Sequence, residues 1–296
     1  MDAIEVKRGP RAWRLGDRTL AFPPPLAAGI VNVTDDSFYS GARSATPQQA
    51  AADGFALVEA GFDLLDVGAV AARNGPPVAP EEEAARLVPA IERLAAEADV
   101  PVLADTFSAE VAARALAAGA AGINDIGGGA DPEMLDLVAS SGCGYVLMHI
   151  EGPPRTERPT PRYGDPVDHL KAWFAERIEA ALRRGITAEQ IALDPGFDFD
   201  LSVDDDLEIM RRLAELRAFG HPLFVALSRK DFLGAVAAGS WSERLDAGER
   251  EPATLAAAAL ATAAGAEVLR LHDPSALDSM RVAAAIAGTW DLPDGD

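Results

Sequence analysis

No intrachain disulfide can form in this chain, because Cys143 is its only cysteine in 296 residues. A lone thiol fits a reducing cytoplasm, which is the expected setting. Basic residues are also scarce. Lys and Arg number 26 against 47 Asp and Glu, a formal net charge of -21, and a field of that sign repels nucleic acid and anionic membranes. No Lys/Arg cluster opposes it, so neither partner is expected and an anionic substrate needs a focused local site. No apolar run approaches the ~18 residues that cross a bilayer. Residues 1–10 are charged and hold no apolar segment of the signal-peptide kind. Aromatics make up only 6% of the chain, yet hydrophobic residues reach 49%, enough for one large core.

What is present is a regular alternation. Short apolar runs at 27–33, 62–68, 100–106, 122–126, 144–150, 191–197, 223–229 and 268–273 read as strands buried on both faces. Helical patterns fall between them at 46–60, 80–98, 108–118, 168–184, 202–218, 254–264 and 275–287. Thr46 with Gln49 forms a capping-box pattern, and Pro89 predicts a kink in the second helix. Gly119 and Gly185 read as helix stops. Eight such units in about 270 residues predict an α/β fold, a (β/α)8 TIM barrel. The rival, a doubly wound open sheet, usually carries a Gly-rich turn after its first strand, and Val33 to Phe38 has none. Residues 1–26 form an N-terminal segment whose hairpin, turning at Gly16-Asp17, caps the barrel. Residues 27–290 are the barrel, with no internal boundary.

Active sites in this fold lie at the C-terminal ends of the strands. Each predicted strand ends in polar groups: Asn32, Asp66, Asp105, Asn124-Asp125, His149, Asp194, Ser228-Arg229-Lys230, and Arg270 with His272. Singly, any of them also reads as a helix cap; together they converge on one mouth. Asp105, Asn124, Asp194 and Lys230 suit the edge of a flat heterocycle, since carboxylates accept paired N–H bonds. Asn32, Arg73, Arg270 and His272 suit a phosphate-type anion, directly or through Mg2+. The plainer alternative makes Lys230 and Arg270 structural ion-pair partners of Asp194 or Asp105. His169 opens a helix and His221 precedes Pro222, and neither is expected at the mouth. His149 either bonds the rim or joins the site.

The ordered motifs resemble the dihydropteroate synthase family. Gly29-Ile30-Val31-Asn32-Val33-Thr34-Asp35-Asp36-Ser37-Phe38 is similar to its first signature, and Leu65-Asp66-Val67-Gly68 with Arg73-Asn74-Gly75 to its second. Ala104-Asp105-Thr106, Ile123-Asn124-Asp125-Ile126, Leu147-Met148-His149, Leu193-Asp194-Pro195-Gly196, Leu227-Ser228-Arg229-Lys230 and Arg270-Leu271-His272-Asp273 follow in the family's order. The resemblance implies a homodimeric barrel that joins 6-hydroxymethyl-7,8-dihydropterin pyrophosphate to p-aminobenzoate with Mg2+. It implies a pterin clasp of Asp105, Asn124, Asp194 and Lys230, with Phe199 beside the ring and Met148 beneath it. Asn32, Arg73, Arg270 and His272 would hold the pyrophosphate, with Asn32 on the metal. Asp105, Asp194, Lys230, Arg270 and His272 would act in catalysis. The implied mechanism is dissociative: pyrophosphate leaves first, and the aminobenzoate amine attacks a pterin carbocation.

Several positions depart from the family pattern. Asp35 replaces a Pro, and Ala69-Val70-Ala71-Ala72 replaces Gly-Glu-Ser-Thr, so Ala72 lacks a hydroxyl on the aminobenzoate side. Asp198 and Asp200 stand where glycines are usual, Leu201 where a lysine is, and Ala226 where a glycine is. Asp231, beside Arg73 and Ala72 in the same subsite, replaces a Ser. Its charge is expected to repel the acceptor carboxylate by about 1 kcal/mol, so Asp231→Ser is expected to lower the Michaelis constant. These departures leave a second reading open, a diverged copy that binds a pterin without synthase turnover or uses another acceptor. A methyl-transferring pterin barrel is disfavoured by Arg270 and His272.

Overall fold

The computed structural model describes residues 11–33, 46–73 and 75–290. Residues 34–38 of the first signature and Asn74 of the second lie outside them. The chain opens with a hairpin, β1 (Arg11–Leu15) and β2 (Arg18–Phe22), closed by a two-residue turn in which Gly16 has φ +63°. A positive φ there is the reason for glycine. Eight parallel strands follow: β3 (Leu26–Asn32), β4 (Leu64–Gly68), β5 (Val102–Asp105), β6 (Gly122–Asp125), β7 (Gly144–Met148), β8 (Ile191–Asp194), β9 (Phe224–Ala226) and β10 (Val268–Leu271). They pair in the order β8-β7-β6-β5-β4-β3-β10-β9, and a parallel bridge from Leu193 to Leu223 brings the two ends together. The expected (β/α)8 barrel is the fold.

Every predicted strand is present, though several stop one to three residues early because their last residues turn into the loops of the mouth. The helices are α1 (Pro47–Glu59), α2 (Pro80–Glu97), α3 (Ala109–Ala117), α4 (Pro132–Ser141), α5 (Pro166–Arg183), α6 (Val203–Arg211), α7 (Asp231–Ala238), α8 (Glu251–Ala263) and α9 (Ser275–Ile286). Thr46 caps α1 through the Gln49 N–H, and α2 runs unbroken through Pro89. α5 starts before residue 168, because the Asp165 carboxylate accepts the N–H groups of Val167 and Asp168 and so fixes its first turn. The segment expected as one helix over 202–218 is split at Arg212, beyond which residues 213–219 tighten into a 3-10 turn. α4 and α7 were not among the expected helices. Both are short, and α7 (DFLGAVAA) is nearly apolar throughout, which hides helical periodicity.

Alternation along the strands sorts the barrel interior into layers. Ala28, Leu64, Leu103, Val146, Ala192, Phe224 and Val268 are buried together with Trp13, Leu15 and Phe22 of the hairpin. Trp13 donates its indole N–H to the Gln190 carbonyl at 2.8 Å and meets Phe224 edge-on, which seats the hairpin as a plug at the strands' N-terminal ends. Two residues further along, five of the eight strands carry polar side chains, and these form the mouth. No helix among the described residues is long and apolar enough to cross a membrane.

Candidate active site

Stepping two residues up the strands from the apolar layer reaches Ile30, Asp66, Asp105, Asn124, Met148, Asp194, Ala226 and Arg270. Asp66 is fully buried and lies at the centre of the polar set. It accepts one bond from Arg270 Nε and another from Asn124 Nδ2 at 3.0 Å, both on Oδ2. Arg270 also donates to Asp105 Oδ2 at 2.7 Å. Arg270 therefore does pair with Asp105, as the plainer alternative held, but its closer partner is Asp66. Motif reading placed Asp66 at a strand end without giving it a role. Its position within Leu65-Asp66-Val67-Gly68, on the same parity as Leu64, was the available signal.

Lys230 does not pair with Asp194. It stands at the residue before α7, donates to the Phe197 carbonyl at 2.7 Å and lies 4.8 Å from the centre of the Phe199 ring. Asp194 accepts the Gly196 N–H at 2.8 Å. Burial pushes the Asp194 carboxyl up to about 6, against the opposing pull of that N–H, Lys230 and Arg270. Burial likewise raises Asp105, with Arg270 acting against it. These are acids that part with a proton near neutrality and feel any charge placed beside them. Met148, Ile126 and Ile150 form a small apolar cluster with Ala72, Phe107 and Phe199 packed on it. A flat ring has an apolar floor there and a polar edge in Asp105, Asn124 and Asp194.

His272 meets Ser228 through its ring Nδ1 at 2.9 Å, and Ser228 Oγ also accepts the His272 backbone N–H. Asn32 ends β3, half-buried and opposite Gly68. Arg73 NH1 donates to Asp231 Oδ2 at 2.9 Å and lies 3.8 Å from Asp198. Not every polar strand end faces inward. Asp125 turns outward, where it accepts the N–H groups of Gly127 and Gly129 and the Tyr145 hydroxyl. His149 turns to the helix layer and packs edge-on against Trp173 of α5. The expected convergence of all strand ends thus holds for one parity only.

The unusual aspartates have structural uses. Among the described residues, Arg155, Asp198, Asp200 and Arg229 are the non-glycine positions with positive φ, and all lie in loops around the mouth. Residues in that region carry backbone strain that other contacts must offset. Asp198 (φ +67°) does so by accepting the Asp231 N–H at 2.6 Å and the Phe232 N–H at 3.0 Å, which caps α7. Asp200 is clasped by Arg158 through two bonds of 2.8 and 2.7 Å. Arg155 donates to Ala71 O at 2.6 Å and to Pro76 O, holding the loop that carries Ala72 and Arg73.

Asp231 corrects the expected repulsion. Arg250 NH1 meets its Oδ1 at 2.7 Å, Arg73 meets Oδ2, and Arg244 lies 3.4 Å away. Although burial alone would raise it, these arginines, Arg250 first, hold the carboxyl below its usual value. The charge is compensated and cannot act as a bare anion toward an acceptor. Asp231→Ser is therefore expected to cost about 1–3 kcal/mol in urea unfolding, because nearly buried Arg250 loses its charged partner. Its Michaelis constant for an aminobenzoate should not fall; a clear decrease would restore the repulsion.

Comparison with known proteins agrees with this geometry. Residues 28–272 match the family described as pterin binding enzyme. Dihydropteroate synthase of Synechocystis sp. is 35% identical over 272 residues, which cover 86% of this chain and 92% of that one. A Mycobacterium leprae protein named inactive dihydropteroate synthase 2 is 38% identical, covering 92% of this chain and 94% of its own. Among solved structures, Xanthomonas albilineans dihydropteroate synthase with 4-aminobenzoic acid aligns with a TM-score of 0.85 at 38% identity, over 94% of this chain and 98% of that one. On its barrel, on the parity of its mouth and on these likenesses, the chain belongs to the pterin-binding enzyme family of dihydropteroate synthases.

Proposed function

We propose that the chain is a dihydropteroate synthase, joining 6-hydroxymethyl-7,8-dihydropterin pyrophosphate to p-aminobenzoate with release of pyrophosphate. The observation that carries this reading is the inward layer of Asp105, Asn124 and Asp194 above the Met148 and Phe199 apolar floor, with Arg270 and His272 beside it. The carboxylates accept N–H donors from the pterin edge. Asp105 and Asp194, once ionised, stabilise positive charge that grows on the ring as the leaving group departs. Lys230 closes the pterin side. Arg270 and His272 receive the departing anion, and Arg270 can exchange its bond to Asp105 for pyrophosphate oxygens while keeping Asp66. Arg73, Ala72 and Asp231 border the acceptor side.

The donor set at the mouth suits Mg2+. Asn32 offers one neutral amide oxygen, and Mg2+ commonly takes one or two protein oxygens with the rest from phosphate and water. Bound there, the ion would neutralise pyrophosphate charge. A homodimer is supported by the exposed apolar side chains Leu260, Val282 and Ile286 on α8 and α9. The deciding assay is pyrophosphate release from purified protein with Mg2+ and the dihydropterin pyrophosphate, with and without p-aminobenzoate. Release that depends on p-aminobenzoate and forms dihydropteroate supports the synthase. A melting temperature raised by the dihydropterin pyrophosphate, with no release, supports the second reading, favoured by Ala72 and by the relative named as inactive.

The Asp194 carboxyl sets a pH dependence. Its pKa in the fold, about 6, exceeds that of the open chain. Ionising it in place therefore costs stability, a cost absent below the open-chain pKa (~3.9) and complete above about 6. Acidification from neutrality relieves that cost but protonates the acceptor that the pterin needs. Pterin affinity should fall about tenfold per pH unit below the folded pKa, and Asp194→Asn should reduce this slope to the share carried by Asp105, whose buried carboxyl is raised to about 7. Affinity that stays flat from about pH 8 to about pH 5 in the parent protein would refute the assignment.

A further inference from the structure

The four histidines include two that the mouth does not use and that the fold brings together. His149 follows β7 on its outward parity, Glu151 lies two residues on, and His169 sits in the first turns of α5. His149 Nε2 lies 3.1 Å from Glu151 Oε1, and His169 Nε2 meets the same oxygen. The three ligand atoms all fall within 4.8 Å of one another, the one such group among the described residues. We propose that His149, Glu151 and His169 bind a divalent transition-metal ion of the Zn2+ class, at a site separate from the pterin mouth.

Two imidazoles and one carboxylate are a donor set that Zn2+ accepts, at about 2.0–2.2 Å, with a fourth position left for water or a ligand. Donors on one tetrahedral ion lie about 3.4 Å apart by that geometry, so the two His–Glu contacts need only a small opening, and no pair of donors is farther apart than 4.8 Å. Glu151 and His169 can supply it, since both are partly exposed while His149 is wholly buried. The ion would replace two hydrogen bonds to Glu151 with three coordinate bonds. Rigid neighbours hold the donors in place. The His149 ring packs edge-on to Trp173 at 5.1 Å, Tyr163 lies against His169 at 4.4 Å, and the Glu151 N–H is fixed by Asp200 at 3.0 Å. Sites preorganised in this way bind with little rearrangement.

An opening exists for the fourth position. Glu151 and His169 line a cavity of about 660 Å3 whose walls include Phe107, Asp125, Trp173 and Arg177. The site also touches the mouth through backbone: the His149 N–H donates to Asp194 O at 2.9 Å. Mg2+ is a hard cation that prefers oxygen donors, so it should not compete for two imidazoles.

The test titrates metal-stripped full-length protein with Zn2+ by calorimetry, and with Co2+ by visible absorption, in excess Mg2+. One ion per chain is expected, with the intense ligand-field bands of four- or five-coordinate Co2+. His169→Gln and Glu151→Gln should each weaken Zn2+ at least about tenfold, and metal-free melting temperatures establish that both variants fold. No saturable Zn2+ binding, or binding equally tight in both variants, would overturn the proposal and leave a hydrogen-bonded His–Glu–His clasp. Because the readout is binding rather than turnover, the outcome is independent of the synthase reading.

Discussion

An Asp105→Asn variant should release pyrophosphate about 100- to 1,000-fold more slowly than the parent, the usual cost of removing one well-placed electrostatic stabiliser. Asparagine keeps the shape of the side chain and one acceptor oxygen while deleting its charge. The loss should therefore fall on the turnover number more than on affinity for the dihydropterin pyrophosphate. This split follows from what the carboxylate does: it opposes a positive charge that exists only as the leaving group departs. Asp105 also bonds Arg270 at 2.7 Å, but Asp66 retains that arginine in the variant. Folding should consequently be little changed, and equilibrium unfolding with rate measurements separates the two effects. Turnover within about threefold of the parent would remove Asp105 from catalysis.

Asp66→Ala should be the most destabilising single change in the mouth. Asp66 is wholly enclosed and receives both Arg270 and Asn124. Without it, a mostly buried guanidinium keeps only Asp105, and the Asn124 amide loses its acceptor. Breaking a buried ion pair from one side typically costs about 3–5 kcal/mol, and the remaining Asp105 bond argues for the lower end. Urea unfolding measures the loss directly. Pairing the change with Arg270→Met should recover part of it, since the buried guanidinium is then gone and Asp105, left without Arg270, can take up a proton. Activity should stay lost in the double variant, because Arg270 is needed for the leaving group. A single Asp66→Ala protein as stable as the parent would show that water, rather than Asp66, satisfies Arg270.

These predictions depend on how far strand parity can be read from a chain. Asp66, Asp105, Asn124 and Asp194 each sit two residues beyond an inward small or apolar residue, and they face the mouth as expected. Asp125 and His149 also end strands, but one position out of step, and they point into the helix layer. A shift of one residue moves a side chain to the opposite face. Near strand ends that parity is hard to judge, because the last pairings and the first loop residues look alike in sequence.

The sequence alone determined the architecture: eight apolar runs long enough only for strands, each closed by a polar residue, with a Gly16-Asp17 hairpin ahead of them. It also determined most members of the mouth, because barrel geometry dictates that strand ends meet. Tertiary structure decided the partnerships. That Arg270 leans on Asp66, that Asp231 is enclosed by Arg73, Arg244 and Arg250, and that His149 and His169 share Glu151 all depend on contacts across the fold. Charge interactions are set by distance and burial rather than by residue type. An aspartate that reads as a repellent anion in sequence can therefore be the hub of three arginines once the loops close around it.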